Sequence, residues 1–274
     1  MMKVFISADI EGIAGVMRPE QCSPGTAEYQ LARALMEQEV NAAIAGAFDG
    51  GASEVVVADS HALMTNLRPA EIDPRAYLVQ GKPRTLSMVE GLEQQAFDGL
   101  IFVGYHAAAS QKGVLAHTIN GRAFYKVTIN GELMSETDIH CAAAAEYQVP
   151  LWLVTGDNEL ERWVQQRYPA TEYVCVKRAI SQTTAQSLSP EGAQAQIRLA
   201  AKSVLERHHQ QLQPTVTAPY RLELMVAKPV LADLFSLVPA VERLDAITIA
   251  FEAGTMREMI SLLSVLSYLA TTQS

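Results

Sequence analysis

Short apolar runs alternate with helix-spaced segments through the first half of the chain. KVFISAD (3–9), EVVVAD (54–59), LIFVGYH (100–106) and PLWLVTGD (150–157) are near-continuous apolar stretches, with AYLV (76–79) a weaker one. Such runs suit strands buried on both faces of a parallel sheet. Between the first two, a helix is predicted from about Thr26 to Phe48, with Leu31, Leu35 and Ala42 near helical spacing and Gly50–Gly51 as its stop. Strands alternating with helices imply right-handed crossovers and an open, mostly parallel sheet with flanking helices.

The pattern changes after residue 113. Asn120–Gly121 and Asn130–Gly131 flank a β-rich segment, and Asn-Gly is a strong hairpin signal. This predicts an inserted three-stranded meander over roughly 114–119, 122–129 and 132–135. It leads into a helix from about Glu136 to Tyr147, with Ser135 as N-cap and Asp138 completing a capping box. A helix over 159–168, a strand near 172–177 and a long polar helix from about Pro190 to Gln211 follow. That helix carries His208 and His209, read as facing water. Residues 210–219 read as a linker. Beyond it RLELMVA, a short helix, AITIAFE and the apolar helix 255–270 form a βαβα tail. The predicted organisation is therefore an α/β catalytic unit over 1–212 and a smaller α+β unit over 213–274. The last helix is apolar on more than one face, which fits either a central core helix or a subunit contact.

Function in open α/β sheets collects at the carboxyl edge of the strands. The first strand ends in Asp9 and Glu11, the second in Asp59, Ser60 and His61, and the third strong one in Gly104, Tyr105 and His106. If the first strand continues through residue 11, Asp9 and Glu11 lie on one face, where two negative charges repel unless a cation joins them. Taken singly, a histidine after a strand is more often a satisfied polar residue than a ligand, and an aspartate there is usually a turn former. Carboxylates and imidazoles converging on one edge match a divalent ion, with zinc favoured over calcium or magnesium. A pair of ions would activate water and polarise a carbonyl. His117 and Glu136 fall on or just past the first and third meander strands, about 10 Å apart. One could then join the cluster while the other works across a substrate. For Glu136 the plain alternative is an acidic residue in a helix's first turn.

A formal charge of −9 argues against nucleic acid, whose phosphates call for a basic excess. No apolar run is long enough to span a membrane. The three cysteines form no CxxC pair, and the chain begins without an apolar signal segment; together these predict a reducing cytoplasm. EGIAG lacks the frame of a phosphate-binding loop, and Ser60 beside His61 lacks GxSxG.

SADIEGIAG (7–15), ADSH (58–61), SMVEGL (87–92), GYHAAAS (104–110), GVLAHT (113–118) and INGELMSE (129–136) together resemble the DppA-type D-aminopeptidases. The resemblance continues with fewer distinctive residues to the end of the chain. It implies a zinc-dependent, D-stereospecific aminopeptidase with two Zn²⁺ per chain, held by Asp9, Glu11, His61, His106 and Glu136. It makes His117 the catalytic residue, described in the family as a nucleophile; general base or transition-state stabiliser is the physical alternative. It also implies a ring-shaped homodecamer acting on small peptides. Two other readings share these residues: a dinuclear-metal amidohydrolase or phosphoesterase, for which Arg122 and Lys126 are the nearest cations, and a non-catalytic metal-stabilised assembly protein. Asp157 is read as a helix N-cap, with recognition of a substrate amino group as the alternative.

Overall fold

A computed structural model describes all residues except 208–211, 213 and 274. The His208–His209 pair and the end of the polar helix lie outside the described residues. The strands are β1 (Met2–Ala8), β2 (Ala52–Asp59), β3 (Tyr77–Val79), β4 (Gly99–Val103), β5 (Phe124–Ile129), β6 (Glu132–Leu133), β7 (Leu151–Asp157), β8 (Glu172–Ser181), β9 (Thr184–Ser187), β10 (Tyr220–Val226), β11 (Glu242–Arg243) and β12 (Thr248–Ala253). The helices are α1 (Pro19–Cys22), α2 (Ala27–Asp49), α3 (Glu136–Glu146), α4 (Asn158–Arg167), α5 (Pro190–Arg207), α6 (Pro229–Phe235) and α7 (Met256–Ala270).

A seven-stranded sheet runs β3-β2-β1-β4-β7-β8-β9. It is parallel except for β9, which returns antiparallel on β8. Alternate residues of each strand supply two cores. Val4, Ile6, Val55, Val57, Ile101 and Val103 pack under α2 and α5, whereas Phe5, Val56 and Phe102 face the opposite side with α3. On α2 the buried stripe is Tyr29, Ala32, Met36, Val40, Ala43, Ile44 and Ala47, and Leu31 is 72% exposed. Leu35 and Ala42 pack partly buried against this core, and Gly46 and Gly50 make the closest approach to α5.

The predicted meander needs correction. Its first strand is absent: residues 114–119 form a loop in which Leu115 (φ 54°) and Ile119 (φ 64°) adopt left-handed backbone, which no strand accommodates. The remaining pair, β5 and β6, joins a second sheet of order β11-β12-β10-β5-β6. The β5–β10 pairing crosses residues 212 and 213 in sequence. The tail keeps its β10-α6-β12-α7 order with the short β11 added. Helix α7 buries Met256, Met259, Ile260, Leu262, Leu263 and Leu266 within the chain, leaving Val265 and Tyr268 half-exposed. Among the described residues no helix is long and apolar enough to cross a membrane.

Candidate metal centre

β1 sits between β2 and β4, and the chain changes direction across the sheet between β1 and β4. A crevice opens at such a switch point, beyond the carboxyl ends of the strands. The strand β1 stops at Ala8, so Asp9 and Glu11 lie on the following loop and not on a continued strand. Backbone contacts fold that loop against the one after β4: Asp9 N–H donates to the Val103 carbonyl (2.8 Å) and Gly12 N–H to that of Gly104 (2.7 Å). A Cβ on Gly12 would sit 2.1 Å from the Tyr105 carbonyl oxygen, so this approach needs glycine. Gly12 is there for close packing and not to cradle phosphate.

All six candidate residues meet in one place. Asp9, Glu11 and His61 form one group of converging ligand atoms, and His106, His117 and Glu136 form another, each group within 4.8 Å. Asp9 spans the two: Oδ1 lies 3.2 Å from His61 Nδ1 and Oδ2 lies 3.4 Å from His106 Nε2. Glu11 Oε2 is 3.1 Å from His61 Nδ1, and Glu136 Oε2 is 3.3 Å from His106 Nε2. His117 Nε2 stands 3.7 Å from Glu136 Oε1. The 10 Å separation inferred from the meander is therefore wrong, because the loop that replaces its first strand folds back beside α3. Glu136 is the first residue of α3, set by the Ser135–Asp138 capping box, and its Oε1 accepts the Ile119 N–H at 2.6 Å.

Each imidazole has one nitrogen committed to a carbonyl. His61 Nε2 donates to Cys22 (2.7 Å), His106 Nδ1 to Ala107 (3.0 Å) and His117 Nδ1 to Leu115 (2.9 Å). A carbonyl only accepts, so these nitrogens carry a proton, and the other nitrogen of each ring, the one a metal would take, faces the carboxylates. Zinc-ligating histidines have this arrangement. Beyond these close ionic approaches, the buried atoms Glu11 Oε2 and His106 Nε2 complete no hydrogen bond among the described residues, which marks the space between the groups as one a cation would satisfy.

The electrostatics agree. Burial and the neighbouring Glu11 charge push the Asp9 carboxyl up. Burial opposes charge on His61 and His106, yet Glu11 and Asp9 around the first and Glu136 and Asp9 around the second hold both well above the usual imidazole range. Against its own burial, the His106 and His117 charges bring Glu136 down to about 2. Without a metal, protons supply the positive charge that this cluster requires.

Asp9, Glu11, His61, His117 and Glu136 line a cavity of about 670 Å³ that also includes Lys82, Asn120 and Arg122, with His106 buried behind it; Lys126 does not reach it. Asp59 does not join the cluster. It organises the 59–67 loop by accepting N–H groups of Asn66 and Leu67. Asp157 caps α4, accepting from Glu159 and Leu160, and also holds Val114 N–H at 2.7 Å, tying down the His117 loop. Sequence reasoning missed Lys177. This side chain, 2% exposed, donates from Nζ to the carbonyls of Glu11, Ile13 and Val16 and so fixes the Glu11 loop from below.

The chain is 34% identical to a D-aminopeptidase of Bacillus subtilis (strain 168) over 274 residues, 98% of each sequence. The solved structure of the Zn-dependent D-aminopeptidase DppA from Bacillus subtilis, described as a self-compartmentalizing protease, superposes with a TM-score of 0.93 at 31% identity, covering 98% of both chains. The family profile matches residues 2–265, and the chain belongs to the D-aminopeptidase family of peptide hydrolases, peptidase family M55.

Proposed function

We propose that this protein removes N-terminal residues, D-residues preferentially, from short peptides at a dinuclear zinc centre. Asp9, Glu11, His61, His106 and Glu136 hold the metals, and His117 serves as catalytic base. The observation that carries this reading is the set of three histidines, each anchored through one nitrogen to a carbonyl and facing buried carboxylates through the other. Zinc, when bound there, lowers the pKa of water and polarises a carbonyl.

The chain's own residues do the rest. Asp9 offers one oxygen to each group and so couples them. His117, its Nδ1–H fixed on Leu115, keeps Nε2 open to the cavity, where it takes a proton from the attacking water and passes it to the leaving amine. With a dinuclear centre to generate the attacking group, the imidazole has no need to act as nucleophile. A cavity of this size holds a small peptide and little more.

The self-compartmentalizing assembly of the Bacillus relative supports a homo-oligomer here, and we extend it to a cytoplasmic ring-shaped decamer, for which light-scattering mass of the purified chain is the check. For the chemistry, the test is release of D-Ala and L-Ala from matched p-nitroanilides and dipeptides. D-selective hydrolysis, abolished by chelation and restored by zinc, is the expected result. Bound zinc with no hydrolysis of any of these substrates would overturn the reading.

A further inference from the structure

Two cations on the cavity wall have no carboxylate partner among the described residues. Lys82 stands at the rim with Nζ 5.5 Å from the centre of the Tyr268 ring, and its side chain makes no ion pair or hydrogen bond. The Arg122 guanidinium is equally unpaired. Most other arginines on the surface are matched to acids, as Arg68 is to Glu37, Arg198 to Asp49 and Arg243 to Asp233. Both side chains are exposed; what sets them apart, in a chain with a net charge of −9, is that they line the cavity that holds the carboxylate cluster.

One helix supports both. Lys82 lies over Tyr268, while Asn120 donates from Nδ2 to Ser267, the preceding residue of α7, at 3.1 Å to its Oγ. Asn120 Oδ1 in turn accepts the Arg122 N–H at 3.1 Å. Consecutive residues of α7 therefore hold both cation-bearing loops on the same side of the cavity. Between Asn120 and Arg122, Gly121 packs on His117, where a Cβ would come within 3.1 Å of the His117 Cβ. Arg122 and Lys82 thus line the same cavity as His117 and Glu136.

We propose that Lys82 and Arg122 bind the C-terminal carboxylate of the substrate and so select short, unblocked peptides. The proposal rests on the aminopeptidase reading above. A di- or tripeptide with its amino end at the metal centre extends only about 7–10 Å, so its carboxylate stays inside the cavity. That carboxylate is the one charge every such peptide carries at that end. A guanidinium and an ammonium on one wall are the groups that recognise it. Any oxyanion, a phosphate ester included, shares this chemistry, and the test separates the two sources.

The zinc-loaded full chain would be assayed on D-Ala-D-Ala and on its C-terminal amide, which contain the same scissile bond, with p-nitrophenyl phosphate as a third substrate. The expected result is a kcat/KM for the free acid at least about tenfold above the amide, expressed mainly in KM. In the Lys82→Gln/Arg122→Gln double variant this ratio falls to near one, and in Lys82→Arg/Arg122→Lys it is retained. Equal turnover of acid and amide by the unaltered enzyme, or a ratio that survives the double glutamine change, overturns the carboxylate site alone. Turnover of the phosphate ester with neither peptide cleaved overturns the aminopeptidase reading and this inference with it.

Discussion

The imidazoles of His106 and His117 stack face to face, with 4.2 Å between ring centroids and 10° between planes. Both point Nε2 at the Glu136 carboxylate, but His106 is buried whereas the His117 side chain is 24% exposed to the cavity. The closed ring suits a permanent ligand and the open one suits a group that must meet substrate. His117→Ala should therefore keep about two zinc ions per chain. Its kcat should fall by about 10²–10⁴-fold, the usual contribution of a positioned base. His106→Ala should lose metal. Elemental analysis beside steady-state kinetics distinguishes the two.

Among the described residues Asp9 is the carboxylate shared between the groups. Asp9→Asn should weaken both zinc sites together, while His61→Ala should weaken only the one it lines. Calorimetric zinc titration of the apo-protein reads this directly: one retained tight site in the asparagine variant would show that Asp9 does not bridge.

Stability should depend on pH through His140. This imidazole is fully buried on α3, donates from Nδ1 to the Glu136 carbonyl, and is brought down to about 4 by burial. The unfolded side chain titrates near 6.5. Between those values the unfolded state binds more protons, so stability present above about pH 6.5 is lost as pH falls through about 4. Urea unfolding of wild type and His140→Leu should diverge in slope across that window and run parallel above it.

Lys177 sustains three carbonyls of the Glu11 loop from inside the protein. Burial brings its ammonium down to about 8, with the Glu39 charge opposing, so it remains protonated at neutral pH. Lys177→Met leaves those carbonyls without a donor and should cost about 3 kcal/mol of unfolding free energy. Zinc affinity should fall in parallel, since the loop carries Glu11. Unchanged stability would mean that the loop finds other donors.

The parallel sheet was legible because each inner strand is a continuous apolar run, and Glu136 because Ser135 and Asp138 announce the helix it begins. The strand ends gave His61 and His106 for the same reason. What failed was the segment VLAHTI (114–119). Its composition reads as a strand, yet its backbone turns through left-handed Leu115 and Ile119, held there by Asp157 and Glu136 acting from distant elements. Such strain, on the order of 1–3 kcal/mol per residue, persists only where surrounding contacts impose it, and no local pattern encodes it. Lys177 was illegible in the same way: a lysine in a strand reads as solvent-facing, and its partners are backbone carbonyls 161 to 166 residues away.

The most direct test of the dinuclear centre is a crystal structure of protein purified without chelator, with diffraction collected above and below the zinc absorption edge. Two anomalous peaks are expected in each chain, one among Asp9, Glu11 and His61 and one beside His106 and Glu136, with Asp9 between them. A single peak, or none in protein supplied with zinc, would contradict it.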